Sequence, residues 1–233
     1  MQIKTGTGVN KILVEDGCVT GIQAGGKTYP AAAVILTTGG ASYPATGSTG
    51  DGYRLASEIG HTVIKLRPSL VPLVVHEIER AKSMQGVSLH NVRLTAYRCT
   101  ADDIDIAKTP TKDTGRGIQG KHPQAPVIES RMGDMMFTHF GIGGPVTLQM
   151  SLAVVDALEN GHVSVAIDLK PAVGYQELRA RLQRDFDTYG KRNYRNILKE
   201  LLPQKLIEPF IEMTDIPPEN TAAILHRKKG ADF

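Results

Sequence analysis

The feature that most constrains this chain is a glycine-rich stretch that directly follows a short apolar run. Residues 37–53 read TTGGASYPATGSTGDGY, with five glycines in seventeen positions. Glycine at this density indicates tight turns or a close approach of the backbone to a ligand. The preceding run at residues 34–36, VIL, is typical of a strand buried on both faces of a parallel sheet. A strand, a glycine turn and then a helix is the order that places ligands at one edge of an α/β sheet.

The glycine-rich stretch matches neither of the two commonest phosphate-binding loops. It lacks the Gly-Lys-Ser/Thr ending of a Walker A loop, and its glycines do not have the GxGxxG spacing of the dinucleotide fingerprint. Glycine richness alone therefore leaves two interpretations open, a ligand-binding loop and a long surface turn.

The first 66 residues are predicted to form strands and one helix. The Asp16-Gly17 pair is a hairpin turn signal, because glycine supplies a positive φ. The helix has Asp51 or Thr49 as its N-cap, and Gly60 stands at its C-terminal cap position. The predicted elements are strands over Ile3–Val14, Val19–Gln23 and Ala31–Thr37, a turn at residues 24–27, and a helix over Asp51–Ile59.

The pattern changes near Pro68, where two prolines in an extended segment indicate an edge strand or a domain crossing. From there to about Pro171 mostly strands are expected, interrupted by a helix that begins at Pro145 and ends at Asn160-Gly161. The predicted strands are Val92–Thr100, Ile104–Ala107, Val127–Ser130, Met135–Thr138 and Val163–Leu169. Residues 108–126 are rich in Gly, Pro, Thr and Lys and are predicted to form an exposed loop.

After Pro171 the pattern becomes helical. The predicted helices are Tyr175–Tyr189, Tyr194–Leu202, Gln204–Met213 and Glu219–Arg227. The fold class is therefore predicted to be α+β in three parts. Residues 1–66 contain a β-meander, a strand, the glycine-rich loop and a helix, residues 67–170 are β-rich, and residues 171–233 form a helical subdomain.

Composition and charge argue against several classes of protein. The net charge of +3 is too weak to indicate a polyanionic partner by itself. No apolar run approaches the roughly 18 residues that span a bilayer, and the first residues lack the apolar core of a signal peptide. Cys18 and Cys99 have no metal-ligand spacing, so we expect two free thiols, no metal site and a reducing, cytoplasmic environment.

Two stretches carry a resemblance to a known family. Residues 34–61, VILTTGGASYPATGSTGDGYRLASEIGH, resemble the second FAD-contacting motif of the bacterial flavoprotein family that includes the BaiN/YhiN-type proteins and aminoacetone oxidase. The match continues through PSLVPL at residues 68–73. Residues 132–151, MGDMMFTHFGIGGPVTLQMS, resemble a second signature of that family, in which a serine often stands at the position of Gly143. After residue 171 the resemblance is weak.

The resemblance implies a fold and a cofactor. Residues 1–66 would be part of a Rossmann-like FAD-binding domain, and residues 67–233 a β-barrel-like insert domain with its helical subdomain. The parent protein would bind FAD and pass hydride between an organic substrate, or a nicotinamide, and the flavin. In the family, a GxGxxG motif and a further glycine-rich segment complete the flavin site. Both would lie outside this chain, which is therefore expected to be an internal fragment that lacks FAD and is inactive alone.

The resemblance also implies the cofactor-binding residues by position. Residues 38–40 would let the backbone pass close to the adenosine and pyrophosphate, and residues 44–50 would run toward the isoalloxazine. The helix that follows has an N-terminal dipole that favours electron density on the nearby cofactor. The implied cofactor-binding residues are Thr38, Gly39, Gly40, Pro44, Thr46, Gly47, Thr49, Gly50, Asp51 and Tyr53.

No catalytic residue is identified from the sequence. His139 stands beside Phe137 and Phe140 and is interpreted as a packed structural histidine, while arginines and acids interleaved over residues 177–195 predict a solvated helix face. Two other functions stay open. One is a non-enzymatic barrel and helix module that contacts RNA or protein. The other is a flavoprotein of the succinate dehydrogenase and fumarate reductase type, suggested by TTGG and TGDGYRLA. The parent is expected to act on a small molecule, without nucleic acid or membrane partners; its oligomeric state is not predicted.

Overall fold

The structure is a computed structural model that describes residues 2–104, 126–189, 192–214 and 216–220. The chain divides into two compact units, Met1–Leu66 and Arg67–Phe233. The predicted subdivision of the second unit at residue 170 stays a prediction. Among the described residues, no helix has both the length and the apolar character needed to cross a membrane.

The first unit contains a three-stranded antiparallel sheet with the order β1-β2-β3. The strands are β1 (Val9–Glu15), β2 (Cys18–Ala24) and β3 (Lys27–Pro30). Asp16 and Gly17 have φ values of 48° and 76°, and Gly25 and Gly26 have 55° and 74°. Two successive positive φ angles match the right-handed twist of the flanking strands, so both predicted hairpin turns are confirmed. The first strand begins later than predicted, at Val9.

The predicted helix of the first unit is confirmed as α1 (Asp51–Glu58). Its N-cap is Gly50 in the left-handed region, with φ 89°, and neither Asp51 nor Thr49 takes that position. At the other end Gly60 has φ 97°, and its N–H donates to the Ser57 carbonyl, which is the expected glycine C-terminal cap.

Residues 31–37 do not form a strand, so the prediction of a strand buried on both faces is wrong for the described structure. Ile35 is 87% exposed and Leu36 is 40% exposed. A strand of that kind needs a paired neighbour on each side, and no strand among the described residues pairs with this segment. The apolar run therefore reflects a preference for burial that the described residues do not satisfy.

The second unit is built on a five-stranded antiparallel sheet with the order β4-β7-β6-β5-β8. In chain order its elements are β4 (Leu73–Val74), α2 (Ile78–Ser83), β5 (Ser88–Tyr97), β6 (Val127–Phe137), β7 (Gly141–Gly143), α3 (Pro145–Leu158) and β8 (Ser164–Asp168). Strand β4 lies at the sheet edge, as the prolines around it predicted. The helix predicted to begin at Pro145 is confirmed.

Several predicted strand boundaries in the second unit are wrong. Strand β6 is a single element of 11 residues, where two strands were predicted. Its centre, Arg131–Gly133, breaks the apolar pattern but still pairs with β5. Helix α2 and the glycine-rich strand β7 were not predicted, because both are short and lack a clear period. Ile104 is not in a strand, and residues 105–125, which include nearly all of the predicted loop, lie outside the described residues.

The core of the second unit lies between the sheet and α3. Val146, Met150 and Val154 repeat every four residues and so share the helix face that packs on the sheet. They meet Leu94 and Met135, which are 0% and 1% exposed. This face explains why α3 is the most apolar helix of the unit.

The helical part of the second unit contains α4 (Tyr175–Thr188), α5 (Tyr194–Leu198) and α6 (Ile207–Thr214). A 3-10 turn over Gln204–Leu206 precedes α6, where one continuous helix was predicted. A small cluster of Tyr194, Leu198, Ile207 and Ile211 holds α5 and α6 together. The helix predicted over 219–227 falls beyond residue 220, apart from two described residues that are not helical.

We predict that Gly141→Ala destabilises the second unit. A Cβ atom at Gly141 would overlap the Leu73 carbonyl oxygen and lie 2.9 Å from the Val75 nitrogen, both main-chain atoms that cannot rotate away. The expected loss in the free energy of unfolding, measured in urea, is about 2 kcal/mol or more. Gly143→Ala is the control, since its nearest contact would be 3.5 Å away. Equal stability of the two variants would contradict the prediction.

Candidate functional site

The glycine-rich segment forms a compact loop around one carbonyl group. The Tyr43 oxygen accepts hydrogen bonds from the Thr46 N–H at 3.0 Å, the Ser48 N–H at 3.3 Å and the Thr46 hydroxyl at 2.8 Å. Pro44 begins the 3-10 turn Pro44–Thr46 between them, and Gly47 ends it with φ 92°. The loop conformation is thus determined by its own main chain and by the side chains of Pro44 and Thr46.

The ends of the loop meet directly in front of α1. The Gly50 N–H donates to the Gly40 carbonyl at 3.2 Å, which closes residues 40–50 into a ring of backbone. The Gly50 carbonyl then accepts the Tyr53 N–H at 3.0 Å, the first hydrogen bond of the helix. Both Gly39, with φ 75°, and Gly50, with φ 89°, have backbone conformations that strongly favour glycine.

Two of the five glycines have a packing role inside the loop. A Cβ atom at Gly52 would overlap the Thr38 hydroxyl oxygen, and one at Gly39 would lie 2.9 Å from Ser48 Oγ. By contrast, nothing lies within 4 Å of the Cβ position of Gly47, and the Tyr53 hydroxyl is 3.5 Å from that of Gly40. The glycine density is therefore explained in part by the loop's own packing.

The polar groups at the start of α1 define what the loop can bind. No side chain caps the helix, because the N-cap is Gly50. Asp51 stands in the first turn, where its carboxylate accepts the Thr49 hydroxyl at 3.0 Å and lies 3.9 Å from the Arg54 guanidinium. A carboxylate at the positive end of a helix dipole partly neutralises it, so an uncharged hydrogen-bond acceptor suits this position better than a phosphate.

The ten residues implied by the resemblance all lie on this loop and the first turn of α1. The structure brings together Gly40, Gly50 and Tyr53, and separately Thr49 and Asp51. Most of the segment is exposed, including Tyr43 at 71%. Their contact with a cofactor stays a prediction.

The second signature, residues 132–151, serves to pack β6, β7 and α3. Gly144, with φ 91°, would place a Cβ atom 2.8 Å from the Met135 Cα, and Gly133 would place one 3.1 Å from the Val146 Cβ. The main chain of α3 therefore approaches β6 at a distance that only glycine allows. These glycines explain the signature without a ligand.

His139 is exposed, so the prediction that its side chain packs inside the structure is wrong. Its ring meets Phe140 edge-on with centroids 4.7 Å apart, which is the one ring contact described for it. His139 lies in the tight turn between β6 and β7, where the Thr138 N–H donates to the Gly141 carbonyl at 2.8 Å. A side chain at such a turn points outward, whereas the strand residue Phe137 is buried.

A histidine–carboxylate pair that the sequence did not reveal lies on the other side of β6. The distance from His90 Nδ1 to Asp134 Oδ2 is 3.1 Å, and Asp134 Oδ1 accepts the Asn91 N–H at 3.0 Å. Asn91 has φ 53° within an irregularity of the β5–β6 ladder. The His90–Asp134 pair depends on this bulge, and no local sequence pattern predicts the bulge. The described residues hold no cluster of three or more metal-ligating side chains.

We predict that Asp134 contributes to the loss of stability in acid. The Asn91 amide and then the His90 hydrogen bond hold the pKa of the Asp134 carboxyl below its usual value. A depressed folded-state pKa stabilises the chain above the unfolded-state pKa, and this stabilisation disappears as pH falls through the folded-state value. Asp134→Asn should therefore flatten the fall in unfolding free energy below about pH 5. Parallel curves for the wild type and Asp134→Asn would refute this.

The remaining candidates among the described residues are weaker. An open pocket of about 260 Å³ is lined by Asn193, Arg195, Asn196, Pro218 and Glu219. The Arg195 guanidinium in this lining forms an ion pair with the Glu208 carboxylate, with an N–O distance of 2.8 Å. Both cysteines are free, as predicted, with Cys18 exposed. A GxGxxG spacing does occur at residues 115–120, GRGIQG, which lie outside the described residues.

Comparison with known proteins identifies relatives that match most of the chain. The family model described as "HI0933-like protein barrel and H2TH domain" matches residues 67–233. The chain is 28% identical over 213 residues to the 3-dehydro-bile acid delta(4,6)-reductase of Clostridium scindens, a match that covers 91% of this chain and 46% of the reductase. It is 31% identical over 192 residues to the ribosomal RNA dihydrouridine synthase of Haemophilus influenzae, covering 82% of this chain and 38% of the synthase. The Escherichia coli synthase is 25% identical over 198 residues, covering 84% and 40%. The chain thus spans less than half the length of each of these relatives.

Proposed function

Since the chain belongs to the HI0933-like family, we propose that it is part of a FAD-dependent oxidoreductase in which residues 38–53 contact the cofactor. The observation that carries the proposal is the closed backbone ring of residues 40–50, which ends at the uncapped start of α1. The N–H groups of residues 46–50 donate to carbonyl groups within the loop, so the main-chain donors that the ring presents to a ligand are those at the start of α1, where no side chain caps the helix. The relative named as a reductase supports the reaction class.

The electrostatics of the loop favour the flavin ring at this point. Asp51 at the first turn of α1 disfavours a phosphate, while the ring carbonyl oxygens of a flavin are uncharged acceptors for backbone N–H groups. The flavin ring would lie beside Gly47, Thr49 and Gly50 and accept hydrogen bonds from the N–H groups at the uncapped start of α1, and the pyrophosphate would pass nearer Thr38 and Gly39. When bound, FAD supplies the hydride chemistry, and the loop supplies position and hydrogen bonds.

The first unit is proposed to be part of a Rossmann-like FAD-binding domain. Its β-meander, unpaired apolar segment, glycine loop and helix follow one another in the order expected for such a domain. The remaining cofactor-binding segments would belong to the longer protein, because the match covers less than half of the named relatives. On this proposal, the 233-residue chain purifies without FAD.

The reaction class that fits both relatives is reduction of a carbon–carbon double bond. One relative is named a delta(4,6)-reductase and the other a dihydrouridine synthase, and each name describes the addition of hydrogen to a ring double bond. We propose the same for this protein, on a double bond conjugated to a carbonyl group. Such a bond accepts hydride at the carbon remote from the carbonyl and a proton at the adjacent carbon.

A small-molecule substrate is favoured over RNA by the charge of the second unit. Over residues 67–233 the sequence carries 22 Lys and Arg against 20 Asp and Glu, so the unit is nearly neutral, and 14 of those basic residues lie in the described part of the chain. Seven of those basic side chains lie within 4.0 Å of a carboxylate, among them Arg67 with Asp156 and Arg192 with Glu200. An RNA-binding surface needs cations that are free to neutralise phosphates. RNA remains the second candidate because of the 31% identity to a ribosomal RNA enzyme.

The loop is tested by Gly40→Val and Gly50→Val in the longer protein. Both variants should lower FAD occupancy, measured by absorbance near 450 nm, because a branched side chain blocks close approach to the backbone ring. His139→Ala is the control and should retain FAD, since His139 belongs to the second unit and lies on an exposed turn. Thermal melts establish that all three variants are folded. If both glycine variants bind FAD at wild-type occupancy, residues 37–53 are a surface turn that does not contact the cofactor.

The substrate class is tested by reoxidation of the reduced longer protein without oxygen. A cyclic enone should reoxidise the bound flavin at least tenfold faster than the corresponding saturated ketone, which lacks the acceptor double bond. Uridine-containing RNA forms the third arm. Faster reoxidation by RNA, with an affinity that falls steeply as salt rises, would replace the small-molecule substrate by RNA.

A further inference from the structure

We propose that the Asn160-Gly161 dipeptide after α3 is a site of non-enzymatic modification, at which the Asn160 side-chain amide is converted to a carboxylate. The sequence contains one Asn-Gly pair, and it is this one. The dipeptide marks the end of α3 and has no part in the proposed function. The modification is independent of that function, because it needs neither a cofactor nor a substrate.

The dipeptide itself supplies the reacting groups. The Gly161 main-chain nitrogen attacks the carbonyl carbon of the Asn160 side chain, a C–N bond forms, and the side-chain nitrogen leaves as ammonia. The product is a five-membered succinimide ring. Water then opens the ring at either of its two carbonyl groups, which gives aspartate or, with the main chain routed through the side chain, isoaspartate. Water is consumed and ammonia is released, so neither an oxidant nor a reductant is required.

Both reacting groups are accessible in the structure. Asn160 and Gly161 are exposed in the turn that follows α3. Nothing lies within 4 Å of the Cβ position of Gly161, so no neighbouring group obstructs the closure of the ring. In the described part of the chain, the Gly161 N–H donates to no main-chain carbonyl group. The Asn160 amide is held weakly, with Nδ2 donating to the Asp156 carbonyl at 3.4 Å.

Two other asparagines are protected by the fold. The residue after Asn193 is Tyr194, whose N–H donates to a main-chain carbonyl at 2.8 Å, and the residue after Asn196 is Ile197, whose N–H donates to one at 3.2 Å. Both following side chains are buried. Attack by either nitrogen therefore requires local unfolding, which Asn160 does not require.

The product places a negative charge at the C-terminal end of α3. The last carbonyl groups of a helix carry partial negative charge, and the last turn of α3 contains no basic residue. Glu159 is the adjacent residue, and Asp156 lies on the same side of the helix, four residues before Asn160. The Asp156 carboxylate already forms an ion pair with Arg67. A further carboxylate at residue 160 should therefore weaken the end of α3.

The modification is measured by peptide mapping with mass spectrometry. The 233-residue chain is incubated at mildly alkaline pH, once folded and once in urea. Asn160 should convert at similar rates in the two samples, whereas Asn193 and Asn196 should convert at least tenfold more slowly in the folded chain. The rate at Asn160 should rise with pH, because the attacking nitrogen must lose its proton. If folding slows the conversion of Asn160 as much as that of the other two, the turn protects Asn160 and the proposal is wrong.

The effect on α3 is tested with two variants of the 233-residue chain. Asn160→Asp has the charge of the aspartate product, while Asn160→Gln keeps a neutral amide and is the matched control. Asn160→Asp should lower the melting temperature by about 2 °C, and high salt should reduce this difference. Asn160→Gln should melt like the wild type. Equal melting of the two variants at low salt would overturn the proposed effect of the product on α3.

Discussion

The close approach of main chain to main chain at Gly141 is the constraint on which the second unit depends. With no Cβ atom at that position, β7 can lie against the backbone of Leu73 and Val75, which pairs β4 with the sheet. Three residues later Gly144 allows the chain to turn beside Met135 and begin α3. The direction of α3 then brings its apolar face onto the sheet, and the Ser151 hydroxyl accepts the Val71 N–H at 3.2 Å. The segment after Arg67 is thereby attached to α3 as well as to the sheet.

The first unit is organised by local chemistry, and its apolar residues are incompletely buried. Its two hairpins are determined by pairs of positive φ angles, and its loop by the Tyr43 carbonyl and the hydrogen bond between Gly40 and Gly50. None of these features requires a distant partner. A loop that adopts its conformation without a ligand loses little conformational entropy when it binds one, which favours affinity. The same unit leaves Ile35 exposed. Local interactions therefore determine the conformation of the unit, but they do not bury its apolar side chains.

Sequence reasoning succeeded where a residue type determines the backbone over a few positions. Asp16-Gly17 predicted a hairpin turn and Pro145 predicted a helix start, because each has a preferred φ. It failed where burial or pairing depends on distant residues. Ile35 is exposed because no strand in the described part of the chain pairs with its segment, and the His90–Asp134 pair depends on a bulge that aligns β5 with β6. For the candidate site, the position of the loop could be predicted from its glycine-rich sequence. Its closure and the uncapped start of α1 required the structure.

The five glycines of the loop are not equivalent as probes of cofactor binding. A side chain at Gly52 would overlap Thr38, so loss of FAD there would report on the folding of the loop. A side chain at Gly47 or Gly50 meets a positive φ, so part of any effect would be backbone strain. Gly40 has no positive φ, and the Tyr53 hydroxyl lies 3.5 Å from its Cβ position. Loss of FAD with retained stability after substitution of Gly40 can therefore be attributed to blocked approach of the cofactor to the backbone.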